Sequence, residues 1–297
     1  MTASDYGENF QHSVNDYFQK RQRNRKAENV QNLKLNRWQQ KLVAFLLFFC
    51  CMNVRTFASA SVEDVHNIAD ICTSVQTVLK DYALVGMGVQ YDDPAEHLKK
   101  TIKKIDNDFA ALKKEHHLGP EIDALVIEKE KTWKKIREVV LAKPRQDAVL
   151  DLHLTIEKFD KECWEIAEMI AKETHIEGEH YVIVASELGM EVQRLAALYM
   201  MRAWDVSNPH YFEEVENILE EFEKYYHELT EKAYPKYLND ATKAKLDKIE
   251  KSFLVFEHMA ASKSGRFVPA LGQRSATRLI GQIDDVIKDV IAAIEKK

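Results

Sequence analysis

The sequence is poor in the residues that interrupt a chain. Only nine glycines and six prolines occur among 297 residues, with no β-hairpin signal and no low-complexity linker, which argues against a sheet and against a flexible tether. No Cys-x-x-Cys-His run is present, so covalently attached haem is excluded. Glu177 to His180 has the Glu-x-x-His spacing of a di-iron bundle, but such a site is built from two motifs and two further carboxylates acting together, and coincidence is the better account. No metal site is therefore expected. Ser-His-Asp and Cys-His arrangements and glycine-rich phosphate loops are absent too, leaving no nucleophile or base to name; a protein without catalytic residues or cofactor is expected. The longest apolar run, Leu42 to Met52, has eleven residues, where a membrane span needs about 20.

What the sequence has in quantity is Ala, Leu, Ile, Glu and Lys, with charges interspersed among apolar residues, the composition of long amphipathic helices. The net charge of −6 divides unevenly. Residues 1–60 carry nine Lys or Arg and four Asp or Glu, a balance of +5, which leaves −11 for the remainder. So acidic a body argues against nucleic acid as a partner, because phosphate binding needs a surplus of Lys and Arg.

The basic region, the run Leu42 to Met52 and the small residues Ala58 and Ala60 follow one another in the order of a secretory signal peptide. An uncleaved signal anchor and a buried helix are the alternatives. A lipoprotein signal fits less well, since Phe48 and Phe49 rather than small residues precede Cys50. The forty residues before the run are overlong for a signal's basic region, which places the expected translation start nearer Val30 to Leu35. Export implies a periplasmic location, with the membrane reached only through an uncleaved anchor. Cleavage would remove Cys50 and Cys51 and leave Cys72 and Cys163.

Beyond residue 60 the chain divides into two similar sets, 61–173 and 174–297. Gln76 and Gln193 are 117 residues apart, as are Tyr82 and Tyr199, while Pro94 and Pro209, and Pro120 and Pro235, are each 115 apart. The spacing indicates tandem copies of one small domain. Apolar residues recur at three and four, as in Val65, Ile68, Cys72, Val75, Leu79 and Tyr82, and prolines mark the breaks. The expected fold is all-α: two tandem up-down four-helix bundles, about eight helices, after an N-terminal signal segment. Helices four and five could be continuous or kinked at Gly178; the seventh is expected to open at Pro235 and the eighth at Arg274.

The fifth helix carries small residues, Ala185, Gly189, Val192, Ala196 and Ala203, along one face, where another helix could approach closely. Gln193 and Arg194 interrupt its apolar run and would need partners if buried. Arg194 could pair with Glu191 three residues earlier, or face a small anion together with Gln193, Met190 and Gln76 of the first copy. Cys72 and Cys163 lie at similar heights in an antiparallel bundle, where they could form a disulfide or pack as free thiols.

The repeated stretch resembles the PilJ-type sensor domain of type IV pilus chemotaxis transducers and, more distantly, the nitrate-sensing domain of NarX-type kinases. Met190, Gln193, Arg194 and Ala196-Ala197-Leu198-Tyr199 carry the likeness in the second copy; Gln76, Lys80-Asp81-Tyr82 and Gly86-Met87-Gly88 carry it in the first. The arginine that binds the anion in nitrate sensors falls on Cys72 and Gly189 here, leaving Arg194 as the motif's remaining arginine. The resemblance implies an exported, non-catalytic sensor that binds a small molecule and signals to a membrane protein, with the two copies packed as an intramolecular pseudo-dimer or the chain itself dimeric. A structural or interaction bundle of the cell envelope is the alternative, and an iron or haem-binding bundle a third.

Overall fold

A computed structural model describes residues 60–114, 118–263 and 266–296. The chain is all-α, with eight α-helices and no strand among these residues. They are α1 (Val62–Gly86), α2 (Pro94–Lys114), α3 (Pro120–Leu141), α4 (Val149–Thr174), α5 (His180–Ala203), α6 (Tyr211–His227), α7 (Asp240–Ala260) and α8 (Pro269–Ile294). A 3₁₀ turn, Gln146–Ala148, leads into α4, and a π-helical turn, Glu228–Ala233, ends α6. The expected signal segment, with Cys50 and Cys51, lies outside the described residues. No helix among the described residues is long and apolar enough to cross a membrane.

The helix ends follow local chemistry. Ser61 and Asp64 form a reciprocal cap on α1, with Asp64 N donating to Ser61 Oγ at 3.2 Å and Ser61 N donating to Asp64 Oδ2 at 2.8 Å. Helices α4 and α5 are separate, because His175 and Gly178 adopt positive φ, 54° and 101°. At Gly178 a Cβ would also lie 2.4 Å from the Tyr237 ring. Helix α7 begins at Asp240 rather than Pro235: Asn239 caps it by accepting from Thr242 N at 2.9 Å, while Tyr237 and Leu238 stay buried ahead of it. Helix α8 begins at Pro269, a turn earlier than Arg274, since proline suits the first helical position and Gly272 is covered by Tyr199.

Each set of four packs up and down. In the first, α1 lies against α2 and α4, and α3 closes the ring; in the second, α5 lies against α6 and α8, with α7 opposite. The most extensive helix contact in the chain is between α1 and α5, which run side by side in the same direction. Thr73 Oγ1 reaches the Ser186 carbonyl at 3.5 Å near their middles. At their C-terminal ends Gly86 meets the Trp204 indole so closely that a Cβ would lie 2.1 Å from it. The apolar residues of both sets form one continuous core through this pair. The small face of α5 receives α8 at Gly189, where a Cβ would be 3.3 Å from Ile283.

The two repeat tyrosines do the same work. Tyr82 on α1 accepts a hydrogen bond from Arg145 N at 3.0 Å, and Tyr199 on α5 accepts one from Val268 N at 2.7 Å. Both donors lie in the segments that lead into the fourth helix of a set. Each tyrosine thus ties the start of that helix to the end of the set's first helix. Tyr82→Phe and Tyr199→Phe are each expected to cost about 0.5–1.5 kcal/mol, read from urea unfolding midpoints, with little change in helix content.

Candidate ligand cleft

The α1–α5 pair is flanked by α4 and α6 on one side and by α2 and α8 on the other. The first side is filled by a polar network. Gln76, fully buried on α1, donates through Nε2 to Glu157 Oε1 at 2.8 Å and to Asp160 Oδ2 at 2.7 Å on α4. Arg194 on α5 donates from Nε and Nη2 to Glu157, at 3.2 and 2.7 Å, and from Nη1 to Glu191, at 3.2 and 2.9 Å. Beside them His153 Nε2 lies 2.7 Å from Glu214 Oε2 of α6, which also accepts from Asn208.

Three carboxyl groups crowd one guanidinium here, Glu157 and Glu191 bonded to it and Asp160 held by Gln76. Burial, reinforced by the Glu157 charge, pushes Asp160 well above the usual carboxylate range. Burial likewise raises Glu191 to about 8, against the pull of Arg194. Burial works against the charge on Arg194, but Glu191 and Glu157 more than offset it and hold the proton on. Arg194 is therefore engaged by carboxylates at all three nitrogens, leaving no nitrogen uncommitted toward an anion. Met190 faces the same side, its Sδ accepting from Trp164 Nε1 at 2.7 Å. Cys72 and Cys163 are joined as a disulfide between α1 and α4, with Cα atoms 5.8 Å apart.

The second side is open. A cleft of about 400 Å³ lies between α1, α2, α5 and α8, within the size range of small-molecule sites. Asp70, Thr73, Ser74 and Thr77 form its α1 wall, and His97 and Lys104 its α2 wall. Helix α8 contributes Asp284 and Lys288 with the apolar Ile280 and Ile287. Gln193 of α5 forms the floor; it is 5% exposed, and its Oε1 has no hydrogen-bond partner. His66 Nδ1, at one end, is also buried without a partner.

Charges of both signs line the cleft. Lys104 Nζ sits 2.6 Å from Asp70 and 3.0 Å from Asp108; burial opposes its charge, but these two carboxylates hold its proton on. Partial burial, and then the Asp70 charge, raise Asp284. Behind His97 stands buried Asp81, paired with His97 Nδ1 and, at 3.4 Å, with the buried Lys80.

Of the four residues that the sequence nominates for ligand binding, only Gln193 lines the open cleft. Gln76, Met190 and Arg194 belong to the filled side. The charged walls escape a motif-based search, although His66, Asp70, Thr73, Ser74 and Thr77 form a polar stripe at helical spacing on an otherwise apolar helix. Glu177 and His180 turn to different partners: Glu177 to Lys236, and His180 to Glu168 and Glu228 at 3.4 and 3.2 Å. No group of three or more metal-ligating side chains is placed to hold a metal among the described residues. No protein-family model, curated protein or solved structure matches this chain.

Two outcomes test the filled side. An acid that binds its proton more tightly in the folded chain than in the unfolded one contributes stability while protonated, and that contribution fades as pH rises through the folded value. With Glu191 raised from 4.5 to about 8, and with two more acids raised by burial to about 7, Glu179 at the start of α5 and Glu187 beside the Tyr225 hydroxyl, stability is expected to fall across that interval. Unfolding midpoints measured against pH should slope downward, and Glu191→Gln should flatten the slope. Arg194→Met removes the one cation from between two carboxylates and is expected to cost about 3–5 kcal/mol at pH 7.5.

Proposed function

We propose that the chain is an exported, non-catalytic ligand-binding protein of the sensor type, which takes a small molecule at the junction of its two helical sets and passes the signal to a membrane protein. The observation that carries this is the open cleft with Gln193 at its floor. A buried amide oxygen without a partner costs on the order of 1–3 kcal/mol, and a bound donor would remove that cost. The placement of the cleft also suits a sensor, because a ligand there touches both sets at once and would bias their packing. The Cys72–Cys163 bond favours an oxidising compartment, in keeping with export.

The alternative, an interaction bundle of the envelope, draws on a separate observation. Leu254 and Val255 on α7 are 55% and 62% exposed, an apolar edge that a protein partner could cover.

Thermal unfolding of the purified protein with a panel of oxyanions, amino acids and quinone-like compounds separates these. A ligand at 100 times its dissociation constant should add about 2.7 kcal/mol of stability. Gln193→Ala should abolish that response, whereas Arg194→Ala should lower the starting midpoint and keep the response. If no compound raises the midpoint, the interaction bundle is the better account.

A further inference from the structure

The two sides of the α1–α5 pair occupy equivalent positions in the repeat, yet only one is open, and the difference lies in side-chain size. At the 117-residue offset, Asp70 corresponds to Glu187, Thr73 to Met190, Ser74 to Glu191 and Thr77 to Arg194. In every pair the α1 residue is the smaller. The α5 residues reach across and fill their side; the α1 residues stop short and leave a cleft of about 400 Å³. Thr77 is decisive, since the long guanidinium side chain that closes the other side stands at its equivalent.

The chemistry of the open side narrows what can occupy it. A simple anion would meet Asp70 and Asp284; a simple cation would meet Lys104 and Lys288. Asp284 and Lys288 stand four residues apart on α8, and so on one face of it. They do not pair with each other: Lys288 Nζ lies 3.5 Å from Asp285, and Asp284 has no hydrogen-bond or ion-pair partner among the described residues. Gln193 Oε1 needs a donor, and Ile280 and Ile287 supply an apolar strip beside these polar groups.

Resting on the ligand-binding function above, we infer that the cleft takes a zwitterion of the α-amino acid class with an uncharged side chain. Its ammonium group is placed by Asp284 and the Gln193 amide oxygen, its carboxylate by Lys288, and its side chain by the two isoleucines. Lys104 remains with Asp70 and Asp108, so the cleft stays close to electrically balanced before and after binding.

Titration calorimetry of the purified protein with the twenty common amino acids, and with nitrate, phosphate and glucose, provides the test. At least one uncharged-side-chain amino acid should bind, and its matched amine and matched carboxylic acid should each bind at least tenfold more weakly. Asp284→Asn and Lys288→Met, both at the rim and away from the core, should each weaken binding at least tenfold with an unchanged melting temperature. Thr77→Arg should close the cleft and eliminate binding. Equal affinity for the amine or the acid alone, or binding of only nitrate, phosphate or glucose, overturns the zwitterion assignment and leaves a ligand-binding function standing. No heat with any compound overturns both.

Discussion

The structure depends on burying two neighbouring helices, α1 and α5, on nearly every side. A helix enclosed in this way cannot leave its polar side chains to solvent, so each one must find a partner or create a site. Gln76, Lys80 and Asp81 on α1, and Glu191, Gln193 and Arg194 on α5, are the residues on which this constraint falls. Most are satisfied inside: Gln76 and Arg194 by the α4 and α5 carboxyl groups, Lys80 and Asp81 by each other and by His97. Gln193 Oε1 is not. Gln76 Oε1 and one oxygen of Asp160 lack a partner too, but they lie on the filled side, whereas Gln193 faces the open cleft.

The filled side is an uncommon arrangement, because three carboxyl groups surround one guanidinium. Coulomb repulsion alone would drive them apart if all three were ionised, and the fold resolves the conflict by letting protons stay on. Asp160 is suited to this, since one of its oxygens receives the Gln76 amide and the other has no partner. The side is therefore sensitive to pH. A ligand site would gain little from such a setting, since a small anion would have to displace a carboxylate that the chain itself already supplies to Arg194. The division of roles between the two sides thus follows from one repeated backbone and a few differences in side-chain length.

Much of this was legible in the sequence, and particular residues show why. The 117-residue offset of Gln76 and Gln193 and of Tyr82 and Tyr199 marks a real structural equivalence, since the two tyrosine hydroxyls bind the backbone at the same point of each set. Apolar periodicity placed the eight helices, because enclosure imposes it over many turns. The ends of α7 and α8 were not legible. Asn239 and Tyr199 decide them, one by a cap that competes with the proline signal at Pro235 and the other by covering Gly272 from a distant helix.

The cleft was legible only in part, for a reason that applies to any site formed between repeats. Gln193 stood out because it interrupts an apolar run, a local signal. Lys104 and Asp284 did not, because each lies on a helix whose exposed face is charged anyway, and Asp70 belongs to a polar stripe on α1 that carries no motif. Their meaning comes from the meeting of α1, α2 and α8, which no single stretch records. Comparing the two copies position by position supplies what the local pattern lacks: where one copy carries Arg194 and the other Thr77, the same backbone closes one side and opens the other. The two sides of the α1–α5 pair thus differ through a few side chains, one held by the Arg194 network and the other left as an open cleft.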